Sequence, residues 1–284
     1  MDRTDFISFI HEFQDKLCKI VEAEDGLAKF NEDCWQRSGG GGGITRIIEN
    51  GKLIEKGGVN TSVVHGPVTP ALAQQLKTSG ENFFACGISV VLHPLNPMVP
   101  TVHANFRYFE VENDRWFGGG CDLTPYYLFE EDVDHFHNVF QKACGPHYPE
   151  FKKNCDEYFV NKHRGERRGV GGIFYDYIRP GDNSDYWFDF AKKNADALIE
   201  AYIPIVKKRK DHAYTERHRH WQEIRRGRYV EFNLIHDRGT LFGLRSGGRT
   251  ESILMSLPPR ARFEYHDQPE PGSEEAALLE MLKT

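Results

Sequence analysis

The chain has 284 residues, of which 39% are hydrophobic and 27% charged, and its formal net charge is −6. This composition is typical of a soluble globular protein with a sizeable core, and nothing in the overall charge indicates nucleic-acid binding. The six cysteines form no CxxC pair, so the pattern predicts free thiols in a reducing compartment. No apolar run approaches the roughly 20 residues that span a bilayer, and the first residues resemble neither a signal nor a transit peptide. We therefore expect a cytoplasmic protein.

The first 37 residues are predicted to contain an amphipathic N-terminal helix. Apolar residues recur there at steps of three and four, at Phe6, Ile10, Phe13, Leu17 and Ile20. A run of five glycines follows, residues 39–43. Such a run predicts a flexible loop, and a mobile lid over a site is the alternative.

After the glycines the hydrophobic pattern changes to period two, which predicts strands. The predicted strands are Ile44–Ile48, Gly58–Val64, Phe83–His93, Thr101–Val111, Arg115–Leu123 and Gly172–Ile178. Short connections between several of them favour antiparallel neighbours.

Helices are predicted to follow the first five strands and to alternate with the remaining ones. They cover about Phe129–Cys144, Pro149–His163, Tyr186–Lys208, Tyr214–Arg226 and Glu274–Leu282. Three further strands are predicted at Arg228–His236, Thr240–Arg245 and Ser252–Leu257. The sequence thus predicts a single α+β domain, residues 1–284, in which a large antiparallel sheet of about seven strands carries helices on both faces.

The densest polar stretch lies on the predicted strands between residues 89 and 122. Because alternate residues of a strand share a face, His103, Asn105 and Arg107 point the same way. An ordinary solvent-facing strand is one interpretation. The glycines 118–120 before Asp122 favour another, because three successive residues without a Cβ suit a flat ligand lying against the backbone. A tight turn would explain the same glycines without any ligand.

Two later segments combine glycine with arginine. Residues 162–169 and 243–252 suit anionic groups held by backbone N–H groups and bidentate side chains, although solvated loops would look similar. The basic run from Lys207 to Arg228 is more typical of a solvated helix than of a nucleic-acid face, since no nucleic-acid-binding module accompanies it.

Long segments resemble the oxygen-dependent coproporphyrinogen-III oxidase family, in order and from about Gly40 to the C-terminus. They are NFFACGISVVLHPLNPMVPTVHANFRYFE, WFGGGCDLTPYYLFEEDVDHFH, YFVNKHRGERRGVGGIFYD, GRYVEFNLIHDRGTLFGLRSGGRTESILMSLPP and FEYHDQPEPGSEEAALL. The resemblance implies oxidative decarboxylation of two propionates of coproporphyrinogen III to vinyl groups, giving protoporphyrinogen IX, CO2 and H2O2 in haem biosynthesis.

The resemblance also implies roles for individual residues. Asp122 would bind pyrrole N–H groups and steady a cationic intermediate, and His103 falls at the position of the proton donor. Arg107, Arg249 and Arg168 would hold propionates. Further substrate-contact positions are Ser89, Asn105, Phe106, Gly247 and Gly248.

A metal site is a separate hypothesis. His93, His103, His137 and His163 match positions that the family sometimes assigns to a divalent cation. No carboxylate recurs at a fixed spacing from His93 or His103 to complete a facial triad. An electron-rich pyrrole can itself react with O2, so the resemblance predicts activity without a required cofactor.

The assembly and two rival functions complete the expectations. The resemblance implies a homodimer formed through residues 228–264, a region rich in apolar side chains. A metal-dependent oxygenase and a non-catalytic binder of anionic tetrapyrroles are the alternative functions.

Overall fold

A computed structural model describes residues 2–76, 78–112, 114–245 and 248–284. Within these ranges seven strands form one antiparallel sheet in the order β1-β2-β3-β4-β5-β6-β9, and a two-stranded hairpin stands apart. The strands are β1 (Asn31–Gln36), β2 (Gly41–Glu49), β3 (Ile54–Pro67), β4 (Asn82–Pro94), β5 (Thr101–Val111), β6 (Asp114–Thr124), the hairpin strands β7 (Val160–Asn161) and β8 (Glu166–Arg167), and β9 (Gly171–Ile178). The predicted antiparallel sheet is confirmed.

The helices are α1 (Arg3–Asp25), α2 (Pro70–Leu76), α3 (Glu130–Cys144), α4 (Tyr148–Tyr158), α5 (Ser184–Arg209), α6 (Glu216–Glu231), α7 (Arg238–Arg245), α8 (Thr250–Leu254) and α9 (Glu274–Leu282). A π-helical turn, Phe232–His236, continues α6 without a break. No helix in the described part of the chain is both long and apolar enough to cross a bilayer.

One face of the sheet packs on the main hydrophobic core. The even-numbered residues of β5 point into it, and Val102, Ala104 and Phe106 are all fully buried. The Phe106 ring meets Phe13 of α1 edge to face, with ring centroids 6.4 Å apart. The alternation read from the sequence is therefore the alternation of the folded strand, and it leaves the odd-numbered residues of β5 on the opposite face.

The N-terminal region differs from the prediction in extent. The helix α1 is capped by Asp2, whose carboxylate accepts from the Asp5 amide, and ends at the left-handed Gly26. Residues 31–36 are the edge strand β1 instead of helix. The glycine run is only partly a loop, because Gly39 and Gly40 turn the chain and residues 41–43 begin β2.

The three strands predicted after residue 228 are wrong. Residues 228–236 belong to α6 and the π-helical turn, 240–245 to α7 and 252–254 to α8. Alternating apolar residues suggested strands, but no sheet edge takes them up. In α7 the start is fixed by Asp237, whose Oδ2 accepts from the Thr240 amide at 2.9 Å and from its hydroxyl at 2.6 Å.

All six cysteines are free thiols, as the sequence predicts. Cys34 is exposed, and the other five are buried. Burial raises the pKa of the Cys121 and Cys155 thiols well above the ordinary value.

Candidate active site

A row of hydrogen-bonding side chains crosses the sheet on the face opposite α1. Successive register partners from β2 to β6 form it: Thr45, Asn60, Ser89, Asn105 and Gly120. Because neighbouring strands lie about 4.8 Å apart, the four side chains span about 14 Å. We call Thr45, Asn60, Ser89 and Asn105 the donor row. Three of them, Asn60, Ser89 and Asn105, are half-buried.

The next row across the same face is rich in glycine. It contains Gly43, Ser62, Gly87, Arg107 and Gly118. A Cβ on Gly118 would lie 2.7 Å from Nε of Arg107, and one on Gly87 would lie 3.0 Å from the Arg107 Cβ. The glycines therefore make room for the Arg107 side chain. Gly118 and its neighbours belong to β6, so the tight-turn interpretation of residues 118–120 is wrong.

A buried charged centre lies in the row on the other side of the donor row. His103 and Asp122 are register partners on β5 and β6, and Nδ1 of His103 lies 2.8 Å from Oδ1 of Asp122. Arg168, from the loop before β9, binds the same carboxylate, with Nη2 at 2.7 Å from Oδ1 and 2.9 Å from Oδ2. We call His103, Asp122 and Arg168 the charged centre.

Exposure within the charged centre is graded. The side chains of Asp122 and Arg168 are 1% and 2% exposed, whereas that of His103 is 21% exposed. Burial alone would raise the pKa of Asp122, but the charge of Arg168 and the hydrogen bond from His103 outweigh it, so this pKa lies below its ordinary value. Asp122 is thus an anion. The imidazole of His103 is the group of the charged centre that is exposed enough to contact a ligand.

The hydrogen bonds also fix the tautomer of His103. A carboxylate can only accept, so Nδ1 carries the hydrogen that is donated to Asp122. Nε2 has no hydrogen-bond partner within the described residues. In the neutral ring it can take a proton, and after protonation it can donate one.

Aromatic rings hold Arg168 in place from below. Its guanidinium lies 4.1 Å from the ring centre of Phe159, 4.7 Å from that of Tyr229 and 4.8 Å from that of Phe232. Its Nη1 donates to Oδ1 of Asn233 at 3.0 Å. Arg168 therefore contacts Asp122 and the helical region 229–233, and its donors are used beneath the site surface.

Sequence reasoning missed Tyr229, Phe232 and Asn233. The sequence predicts a strand for them, and in a strand Phe232 would point away from the face shared by Tyr229 and Asn233. Their spacing of three and four is the helical signal that would have grouped them. The π-helical turn that starts at Phe232 is the kind of helix irregularity often found at functional sites.

Arg107 is a half-buried cation beside the donor row. Its Nη1 donates to Oδ1 of Asn105 at 3.0 Å, and its Nη2 pairs with Oδ2 of Asp176 on β9 at 2.8 Å. Asp176 also lines a cavity of about 480 Å³ together with Tyr158 and Phe174. The face that carries Arg107 therefore continues into this cavity.

Arg249 lies at the opposite, β1–β2 side of the sheet. Its Nη2 pairs with Oδ2 of Asp33 at 2.5 Å, and its Nη1 donates to Oγ of Ser252 at 3.0 Å. Ser252 in turn lies 3.0 Å from Oγ1 of Thr45, so Arg249 is connected to the donor row.

The remaining predicted substrate residues fall into different places. Ser89 lies in the donor row, whereas the side chain of Phe106 points into the core on the opposite face and cannot contact a ligand there. Arg168 is buried against Asp122 instead of being open to a propionate. The amide of Gly248 donates to the Gly243 carbonyl at 2.8 Å, and Gly247 lies outside the described residues.

The four histidines suggested as metal ligands bind to separate partners. The Nδ1 and Nε2 atoms of His93 contact Thr101 and the Ser256 carbonyl, at 3.1 and 2.9 Å. Those of His137 contact Tyr148 and the Val170 carbonyl.

His163 is held by two other side chains. Its Nδ1 lies 2.8 Å from Nε2 of His236 and its Nε2 lies 2.9 Å from Glu231. The structure therefore does not bring His93, His103, His137 and His163 to one point. Among the described residues, the one set of three or more potential ligands whose atoms lie within 4.8 Å of one another is His220, Glu264 and Asp267.

An antiparallel sheet with a buried carboxylate–guanidinium pair, a partly accessible imidazole and arginines at both sides is an arrangement suited to acid–base chemistry on an anionic ligand. Comparison with known proteins makes this specific. The family model for coproporphyrinogen III oxidase matches residues 5–284. The chain belongs to this family.

Two curated relatives are similar over almost the whole chain. One is "Coproporphyrinogen-III oxidase 1, chloroplastic" from Arabidopsis thaliana, and the other is "Oxygen-dependent coproporphyrinogen-III oxidase, chloroplastic" from Glycine max. Each is 51% identical over 298 residues, which cover 98% of this chain and 77% of the relative.

Proposed function

We propose that the protein converts two propionate groups of coproporphyrinogen III to vinyl groups with O2 as the oxidant. The observation that carries this proposal is the charged centre adjoining the donor row, in a chain 51% identical to named oxidases of this type. For each propionate, a β-hydrogen and CO2 leave with two electrons, and O2 takes up those electrons and two protons to give H2O2. Protoporphyrinogen IX is the final product.

Half-buried polar groups on the site face would bind and orient the substrate. Arg107 and Arg249 would hold propionate carboxylates, and Ser89 and Asn105 would add neutral donors between them. The distance across the donor row suits a macrocycle with acidic groups at its rim. Fixing the macrocycle is a large part of the catalytic task, because a bound and oriented substrate reacts in an effectively unimolecular step.

The charged centre would serve both charge and proton transfer. Asp122 stays ionised in its buried position and can balance positive charge that develops on the macrocycle. Since Arg168 and His103 occupy both its oxygens, this role is electrostatic in the present arrangement, and a direct bond to pyrrole N–H groups would need one of those contacts to open. His103, through Nε2, would move the proton.

We propose further that no cofactor is required. An electron-rich pyrrole can pass electrons to O2 itself, and the residues at the charged centre supply acid–base and electrostatic groups that such a scheme needs. The rival functions differ in observable ways: a metal-dependent oxygenase would need a stoichiometric ion, and a non-catalytic binder would retain ligand without turnover.

The decisive experiment is incubation of the purified protein with coproporphyrinogen III in air. Formation of protoporphyrinogen IX with two CO2 and two H2O2 per substrate would support the proposal. Tight binding without product would overturn it in favour of the binder. Dependence on one added ion after chelation would favour the metal-dependent oxygenase.

We propose a homodimer that uses residues 228–264. Large apolar side chains in this region are exposed in the single chain: Leu234 by 41%, Ile235 by 53% and Phe263 by 62%. These exposed apolar side chains would suit burial against a second copy, with Leu234 and Ile235 in the π-helical turn and Phe263 in an irregular segment. Sedimentation at micromolar concentration should show a species of twice 32.7 kDa, and a species of 32.7 kDa alone would contradict the dimer.

The cytoplasm is the location that we propose. Six free cysteines suit a reducing compartment such as the cytoplasm. The two plant relatives are named as chloroplastic, so the chloroplast is the alternative compartment. Imaging of the tagged protein in its own cells, with a plastid marker where plastids exist, would distinguish the two compartments.

A further inference from the structure

Asn60 of β3 is a polar residue of the donor row to which neither the sequence motifs nor the proposed chemistry gives a role. It lies between Thr45 and Ser89 in the register, on the same face as Asn105. Its side chain is half-buried and contacts Thr45, whose Oγ1 lies 2.6 Å from Oδ1 of Asn60. Either the oxygen or the NH2 group of the Asn60 side-chain amide faces the open surface.

A chain of hydrogen bonds determines the orientation of this amide. Arg249 can only donate, so it donates to Oγ of Ser252, and the Ser252 hydroxyl hydrogen then needs an acceptor. Oγ1 of Thr45 lies 3.0 Å away and provides that acceptor. The indole of Trp35 also donates to the same oxygen, at 3.0 Å.

Thr45 therefore accepts two hydrogen bonds and has one hydrogen left to donate. The Oδ1 of Asn60 takes it at 2.6 Å, a distance typical of O–H···O and short for N–H···O. The amide oxygen of Asn60 is thereby occupied. Its NH2 group has no hydrogen-bond partner within the described ranges and remains available on the site face.

Asn105 repeats this orientation two strands away. Arg107 Nη1 donates to its Oδ1 at 3.0 Å, so the Asn105 NH2 group is also available. Two amides on one face are thus both turned by an arginine-linked network so that they present hydrogen-bond donors. Two N–H donors at each position suit a carboxylate, which can only accept.

We propose that Asn60 is a further substrate-positioning residue that donates to a carboxylate of the substrate, with its amide orientation set by the relay Arg249–Ser252–Thr45. This inference rests on the proposed function and deepens it, since it identifies a carboxylate contact on β3. The relay also couples Asn60 to Arg249, the cation at that side of the sheet.

The test measures binding of coproporphyrin III, the oxidised and unreactive form of the substrate, by quenching of its fluorescence. Asn60→Ala removes the donors and should raise Kd about tenfold, the usual effect of losing hydrogen bonds to a charged group. Asn60→Asp has the same shape but places an anion opposite the carboxylate, so its Kd should rise about 100-fold at pH 8. That excess over Asn60→Ala should shrink as the pH falls towards about 5.5, because a carboxyl beside another anion has a raised pKa.

Two further variants complete the design. Thr45→Val removes the hydroxyl that orients the amide and should raise Kd by a smaller factor of about three. Thr61→Val is the matched control, since Thr61 neighbours Asn60 on β3 but points to the buried opposite face, and its binding should equal that of the wild type.

Equal affinities of wild type and Asn60→Asp at pH 8 would overturn the inference. Equal losses in Asn60→Ala and Asn60→Asp at every pH would also overturn it, because an anion at position 60 would then cost no more than a missing donor, and no substrate carboxylate would face it. Failure of the proposed function looks different: the wild type would then bind coproporphyrin III but form no protoporphyrinogen IX from coproporphyrinogen III.

Discussion

The charged centre and the donor row share one face of the sheet but satisfy their polar groups in opposite ways. In the charged centre, both oxygens of Asp122 have partners, and the pair with Arg168 is almost completely buried. In the donor row, Asn60 and Asn105 have occupied oxygens and available NH2 groups. An unpaired buried charge carries a large desolvation penalty, so it needs a partner within the protein. A neutral donor at a half-buried position can stay without a protein partner at a small free-energy cost until a ligand binds.

This difference separates two tasks. The charged centre is built before any substrate arrives, so its electrostatic effect is preorganised. The donor row completes its hydrogen bonds only with a bound acceptor, so it contributes to affinity and orientation. Substitutions in the two regions should therefore affect different kinetic constants.

The largest effect is expected at the centre. Asp122→Asn should lower kcat about 1,000-fold and destabilise the fold by about 3 kcal/mol, because it leaves Arg168 as an uncompensated buried charge and removes the anion beside His103. Steady-state kinetics and urea unfolding measure both effects. The double variant Asp122→Asn/Arg168→Met should recover stability but not activity. Near-normal turnover of Asp122→Asn would contradict the role assigned to the centre.

A smaller effect, on KM, is expected from Arg107→Lys. One ammonium cannot bridge Asn105 and Asp176 while also binding a carboxylate, so KM should rise about 30-fold with a lesser change in kcat. Arg179→Lys is the control, because Arg179 makes a comparable paired contact with exposed Asp114 away from the donor row. A larger change in kcat than in KM would contradict this prediction and show that Arg107 acts in the chemical step, as the charged centre does.

The third prediction concerns His93, which lies on the same face, two residues along β4 from Val91, the register partner of His103. Burial, followed by the charge of Arg226, lowers the pKa of His93 well below its ordinary value. As the pH falls, His93 therefore takes up a proton in the unfolded state, near pH 6.5, before it does so in the folded state. Protonation of the unfolded state lowers the free energy of unfolding, so stability is full above about pH 6.5 and falls below it.

The free energy of unfolding should accordingly fall by up to about 1.4 kcal/mol per pH unit below about pH 6.5 through this group. His93→Gln keeps an acceptor for Thr101 and a donor for the Ser256 carbonyl, so it should lessen the slope. Urea unfolding between pH 5 and 7.5 compares the two proteins. Identical slopes would show that His93 is not held neutral.

The smallest effect is expected from removing metal. Exhaustive chelation should leave turnover unchanged, since neither region needs an ion for the roles proposed. Metal content should be measured on the same sample. Loss of activity that one specific ion restores would establish a metal requirement and revive the metal-dependent oxygenase.

Period-two patterns were enough to predict the donor row in part. They placed His103, Asn105 and Arg107 on one face of an antiparallel strand, and the structure has them there. The registers that align Asn60 with Ser89, and Asp122 with His103, depend on pairing between strands, which a single strand's pattern does not specify.

The lower half of the charged centre could not be predicted. Arg168 reaches Asp122 from a loop 46 residues away, and the sequence shows only that arginines are abundant there. The apolar residues of 228–236 predict a strand there, which would include Tyr229 and Phe232. Their stacking on Arg168 favours the helical arrangement instead, which local propensity does not show.

The buried thiols acquire significance if the protein releases peroxide. Cys121 immediately precedes Asp122 on β6 but points to the opposite face, and burial keeps its pKa well above the ordinary value. Peroxide attacks thiolates far faster than thiols, so a protonated cysteine resists oxidation even beside a source of oxidant. If peroxide is released, burial would protect the other five cysteines, and Cys34, exposed on the edge strand, is the position at which oxidative damage should first appear.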